Sequence, residues 1–129
     1  MTDAGPSRGR EPALRTIAMP GDANPNGDIF GGWVVGQMDM AGGVVCVQRC
    51  HGRVATVAIE AMKFHEPVMI GDEFSCYATI RRIGRTSLTV DIEAWARRMM
   101  GGRAVRVTEG VFTYVAIDHN GRPRPVPPE

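Results

Sequence analysis

The segment at residues 31–50 constrains the fold most. Read at helical spacing, Trp33, Val34, Val35, Met38, Met40, Ala41, Val44, Val45 and Val47 leave little polar surface on any side. A helix of that kind is buried rather than laid on a surface, and at about 20 residues it is roughly 30 Å long. The helix is expected to start between residues 29 and 32, with Asp28 or its neighbourhood capping. It should stop near Cys50, where His51 and Gly52 supply a stop signal. Something must wrap such a rod, and the rest of the chain offers strands.

Residues 87–97 alternate Leu88, Val90, Ile92 and Ala94 with Ser87, Thr89, Asp91 and Glu93, the pattern of an antiparallel strand with one wet face. Residues 74–81 alternate Phe74, Cys76, Ala78 and Ile80 with Ser75, Tyr77, Thr79 and Arg81. The short connection through Gly84 makes the two segments a hairpin. Residues 103–117 read as a further long strand in which Val105, Val107, Val111 and Val115 share a parity, with Glu109 and Gly110 marking a bulge. Residues 14–19 and 54–64 complete the set. The expected architecture is α+β, an antiparallel sheet curled around one helix. The chain divides into an irregular N-terminal segment at 1–12, one domain at 13–119 and a proline-rich tail at 120–129, too rich in proline to join a sheet or helix.

At 129 residues there is room for a single core and little more, so oligomerisation would help. A net charge of +1 gives no global reason to expect nucleic acid, although the arginines between residues 81 and 106 form a local basic set suited to a small anion. With neither a secretion-type leader nor a stretch apolar enough to span a membrane, the expectation is a soluble, cytoplasmic protein. Cys46, Cys50 and Cys76 read as small hydrophobes, since no spacing supports a metal site and no base activates a thiol. His51, His65 and His119 have no visible orienting partner and read as structural.

One acid, Asp39, interrupts the apolar helix with no basic residue near it in sequence. Gly36, Gly42 and Gly43 flank it at helical spacing, so the pattern reads as a groove with an acid in its floor. Each interior glycine costs roughly 0.8–1 kcal/mol against alanine, and burying an unpaired carboxylate costs more. Two penalties in one place suggest function.

The ordered blocks NGDIFGGW, QMDMAGG, HGRVATVAIEAM, KFHEPV, GD, GRTS and VTEGVFTYVAID cover nearly the whole chain, and together they resemble the YciA-type acyl-CoA thioesterases of the hotdog superfamily. The resemblance implies a hotdog fold, a five-stranded antiparallel sheet wrapped around one long helix. It implies hydrolysis of acyl-CoA to CoA and a carboxylic acid with no metal or organic cofactor. It also implies a homodimer joined through edge strands with active sites between the two subunits, and a hexamer built as a trimer of dimers.

Asp39 stands where that family has its catalytic acid, as general base toward water or as nucleophile forming a transient anhydride. Gly31 and Gly32 stand where the helix begins, so their N–H groups, and that of Trp33, lack intrahelical partners and suit the thioester oxygen. Asn24, in the loop before the helix, is the expected polar partner supplied from the opposite subunit; shaping the turn is its alternative role. Gly84, Arg85, Thr86 and Ser87 are expected at the nucleotide end of CoA, where the planar fork of arginine suits phosphate. Two alternatives remain open: an acyl-CoA-binding sensor without turnover, and a hotdog hydroxyacyl dehydratase, which would want a histidine in the loop before the helix.

Overall fold

The computed structural model describes residues 10–129, so most of the N-terminal segment set off at residues 1–12 lies outside the described residues. Strand β1 (Leu14–Ile17) leads through a 3-10 turn at Pro20–Asp22 to helix α1 (Gly31–Cys50), and strands β2 (Val54–Phe64), β3 (Glu73–Ile83), β4 (Ser87–Arg97) and β5 (Ala104–Ala116) follow. The strands form one sheet in the order β1-β3-β4-β5-β2, with every neighbouring pair antiparallel. This is the hotdog arrangement.

The helix differs from the expectation in one respect that matters for function. Its buried residues, Val34, Met38, Ala41, Gly42, Cys46 and Cys50, form a single i, i+4 stripe against the sheet. The opposite face is just as apolar and is uncovered: Met40, Val44 and Val47 are 52%, 44% and 43% exposed. The sheet therefore wraps one side of the rod only. The neighbouring edge strand β2 adds exposed Val57 and Ile59, so this apolar surface and an unpaired strand edge lie together on one flank of the chain. Nor does Asp28 cap the helix. The N-cap is Phe30, which gives no side-chain hydrogen bond, and Asp28 instead bridges to Met69. At the other end His51, at φ 55°, takes the left-handed stop position.

Strands β3 and β4 turn the expected residues inward: Phe74, Cys76, Leu88, Val90, Ile92 and Ala94 are all buried in the main core. Strand β5 does not keep the parity expected of its valines. Ala94 pairs with Thr108 and Trp95 with Arg106, so Val107 is an extra residue and the inward face switches. Beyond it Phe112, Tyr114 and Ala116 face the core, while Val111 and Val115 lie only partly buried. The glycine at 110 does mark a bulge, but the additional residue sits on β2. Glu60 pairs with Val111 and Lys63 with Glu109, leaving Ala61 and Met62 opposite Gly110, and Ala61 adopts φ 57°. A Cβ at Gly110 would collide with the Met62 sulfur.

The proline-rich tail carries neither strand nor helix, yet it is fastened. Val126 packs against the core, and Pro123 bridges to Ile117. At the opposite end of the sheet, buried Asp72 accepts from Arg98 and from the Met69 N–H at 2.8 Å, tying the turn before β3 to the end of β4.

The three cysteines are free and buried. Burial pushes the Cys46 and Cys76 thiols from 9.0 up to about 12, with Cys50 adding to the effect at Cys46. Such thiols stay protonated and are poor nucleophiles. Unfolding returns them to their ordinary value, so above pH 9.0 the unfolded chain sheds protons that the folded one keeps. Stability is whole below that pH and falls as pH rises toward 12, by at most about 1.4 kcal/mol per pH unit for each thiol. Urea midpoints should therefore drop between about pH 8 and about pH 10.5; a constant midpoint contradicts this burial.

Among the described residues no helix is long and apolar enough to cross a membrane.

Candidate active site

Asp39 lies midway along α1, on the side turned toward β2. Its carboxylate Oδ1 accepts a hydrogen bond from Thr56 Oγ1 at 2.6 Å and another from the Tyr114 hydroxyl at 3.1 Å. The same hydroxyl lies 2.9 Å from the Asp39 backbone oxygen, so Tyr114 holds both the side chain and the helix turn that carries it. No basic side chain pairs with Asp39 among the described residues, and the carboxylate is half-buried. It is thus an acid restrained by neutral donors at Oδ1, while Oδ2 has no hydrogen bond among the described residues.

Sequence reasoning missed Thr56 and Tyr114. The clue to Tyr114 was the even-numbered run Phe112, Tyr114, Ala116, obscured by the parity switch at Val107. Burial and then the neighbouring Asp39 carboxylate raise the Tyr114 phenol well above its ordinary value, so it remains a donor through the neutral and mildly alkaline range.

The glycines around Asp39 divide into two kinds. A Cβ at Gly42 would collide with the Tyr114 hydroxyl and come within 2.7 Å of Ile92, so Gly42 makes room for the residue that holds Asp39. Gly36 and Gly43 meet nothing within 4 Å. The expected groove is therefore half real: closed by Tyr114 on the core side and open on the uncovered flank.

At the start of α1, the Trp33 and Val34 N–H groups both reach the Phe30 carbonyl, at 3.1 and 3.4 Å, which takes Trp33 out of the set of spare donors. Gly31 and Gly32 keep theirs, since Phe30 provides no side-chain cap. Gly31 borders an open cleft of about 330 Å³ together with Asn24, Asp28, Ile29, Phe64, His65, Glu66 and Pro67. Asn24 and Gly31 are thereby brought together. The Asn24 side-chain oxygen is spent on the turn, accepting from the Asn26 N–H at 2.9 Å and the Asp28 N–H at 3.2 Å. Only its amide nitrogen remains for a ligand. His65 does have an orienting acid, contrary to expectation: its Nε2 lies 2.9 and 3.0 Å from the two oxygens of Glu109.

Gly84, Arg85, Thr86 and Ser87 form the β3–β4 turn, closed by the Gly84 N–H donating to the Ser87 carbonyl at 2.8 Å. Arg85 is exposed. This turn lies at the end of the sheet away from the cleft. The Ala116 N–H donates to the Thr86 carbonyl, whereas Phe64, beside Gly31, pairs with Thr108. Thr108 and Ala116 are separated by roughly 27 Å of strand. Asp39 stands between, about 12 Å along the helix from Gly31 and about 16 Å from Cys50 at its end. Within one chain, the acid and the spare helix-start donors cannot both touch one carbonyl carbon and its oxygen, which need groups about 3 Å away.

Residues 26–102 match the model of the thioesterase superfamily. The chain is 46% identical over 119 residues to the acyl-CoA thioester hydrolase YciA of Escherichia coli K12, covering 90% of each sequence. Among solved structures it is similar to a hexameric thioesterase of Yersinia pestis, at 45% identity and a TM-score of 0.90, covering 95% of this chain and all of that one. It is also similar to a hexameric hotdog-fold thioesterase of Campylobacter jejuni, at 38% identity and a TM-score of 0.87, covering 91% and 90% of the two chains.

Proposed function

The chain belongs to the thioesterase superfamily and is an acyl-CoA thioester hydrolase, and we propose that it cleaves the thioester with Asp39 of one protomer and the helix-start donors of its partner. The observation that carries this reading is the Asp39 carboxylate, restrained by Thr56 and Tyr114, unpaired with any cation among the described residues and placed beside an uncovered apolar flank. Gly31 and Asp39 lie four residues either side of Val35. A second copy of α1 packed antiparallel and crossing at that level brings its Gly31 opposite this Asp39, and open space at Gly36 permits the close crossing. The same pairing brings Met40 to the level of the partner's helix start, sets Val44 and Val47 against the loop that precedes that helix, and lets the β2 edges meet, which gives a homodimer with two shared sites. Relatives described as hexameric support assembly of three such dimers.

In that site Asp39 either draws a proton from the attacking water or attacks the carbonyl carbon itself; the oxyanion accepts from the partner subunit's Gly31 and Gly32 N–H groups. The Asn24 amide nitrogen, beside Gly31, orients the water or the carbonyl. The CoA arm then runs along the Asp39-bearing chain toward its own turn at Gly84, Arg85, Thr86 and Ser87, where Arg85 meets phosphate. The reaction needs a carboxylate, water and backbone donors, with CoA as part of the substrate. The cytoplasm, where acyl-CoA is made and used, is the proposed location.

Thiol release from a panel of acyl-CoAs tests the reading. Steady-state turnover with stoichiometric CoA and acid is the expected result. Tight binding without turnover would instead make the chain an acyl-CoA sensor, and hydration of an enoyl-CoA would make it a dehydratase.

A further inference from the structure

The tail is held by more hydrogen bonds than a loose end needs, and they converge on one place. Arg124 donates from Nη2 to the Cys50 carbonyl at 2.9 Å, from Nε to the Ile117 carbonyl at 3.1 Å and from its backbone N–H to Ala116 at 2.9 Å. Its guanidinium occupies the space a side chain at Gly52 would take, the nearest atom lying 2.5 Å from a Cβ built there. A cation placed on the last carbonyls of a helix is favoured by the helix dipole. Arg49 answers from the helix, donating to the Pro127 carbonyl at 2.6 Å. Between them runs Pro125-Val126-Pro127-Pro128, in which Val126 has the single backbone N–H, and that N–H donates to the carbonyl of Arg85 at 2.8 Å. Prolines limit the freedom the segment must give up to lie there.

We propose that Arg124 and Val126 are positioning residues for the CoA end of the substrate, acting through the turn at residues 84–87. The inference rests on the CoA reading of that turn given above. Arg85 is exposed and its guanidinium has no partner among the described residues, so where it points is set by its backbone. That backbone is held on one side by the Thr86 carbonyl accepting from Ala116 and on the other by the strap, whose Val126 N–H meets Arg85 itself. Because the strap is riveted to the Cys50 carbonyl at the end of α1 and is met by the Arg49 side chain, the turn is fixed relative to the helix that bears Asp39. The span from acid to phosphate site is thereby set in one chain.

The test compares hydrolysis of an acyl-CoA with that of the same acyl group on pantetheine, which lacks the nucleotide. Val126→Pro removes the one N–H while keeping an apolar residue in an already proline-rich stretch, and Arg124→Ala removes the rivet. Each should raise KM for acyl-CoA about fivefold, as loss of one net hydrogen bond between Arg85 and phosphate implies, with kcat unchanged and both constants for acyl-pantetheine unchanged. Activity on pantetheine also reports folding, and either variant alone suffices. Equal losses on both substrates, or an unmoved KM for acyl-CoA in both variants, overturn the proposal. Arg85→Ala, run in parallel, separates the two levels: if it leaves the KM for acyl-CoA unmoved, the CoA reading of the turn itself is wrong. If it raises that KM while the strap variants do not, only the positioning role fails.

Discussion

Replacing Asp39 by Asn should cut turnover of acyl-CoA at least about a hundredfold while leaving CoA affinity nearly unchanged. Asparagine keeps an oxygen that can accept from Thr56 and Tyr114, so the helix turn stays where it is. What disappears is the charge that takes a proton from water or attacks the carbonyl carbon. Thiol release measures the turnover, and calorimetric titration with CoA measures the affinity. Unchanged turnover would move the chemistry to another group, and the His65–Glu109 pair beside the cleft would be the first to test.

Gly31→Pro should be nearly as damaging, by about a hundred- to a thousandfold, the cost of losing one oxyanion donor. Proline at the first helical position is well tolerated, because the N–H it lacks has no intrahelical partner there. The preceding Phe30, at φ −57° and ψ 136°, already has the extended conformation that a following proline demands. A Cβ at Gly31 meets only the Phe64 ring, at 3.7 Å, an ordinary contact. The substitution therefore removes a donor and little else. An unchanged melting temperature with lost turnover is expected, and wild-type turnover would exclude this N–H from the site.

Much of the fold was legible in the sequence because its elements are long and strongly patterned. The helix bounds follow from periodicity with the stop signal at His51 and Gly52, the β3–β4 hairpin from the short connection at Gly84, and the inward faces of both its strands from alternation. The exposed flank of α1 was not legible. An apolar residue on a face the sheet leaves uncovered looks the same in sequence as one that faces the core, so Met40, Val44 and Val47 read as buried. The parity of β5 failed for a different reason: a single extra residue, Val107, reverses every side chain after it. That slip hid Tyr114 from the reading of the site. Asp39 stood out because a lone acid in an apolar helix is costly wherever it goes, whereas Thr56 belongs to a different element and only coordinates bring it to 2.6 Å. For Asn24 the sequence allows either a turn-former or a ligand-binding group; the structure shows its oxygen in the turn, and the proposed role falls to its amide nitrogen.

On the proposed mechanism each active site takes its acid from one chain and its oxyanion donors from another. Co-expressing Asp39→Asn and Gly31→Pro chains, each inactive alone, tests it directly. If the site is shared, random pairing leaves about one site in four with an intact acid facing intact donors, and roughly a quarter of wild-type turnover should return. If both groups serve one carbonyl from the same chain, every site keeps a defect and nothing returns, and the shared site would be excluded.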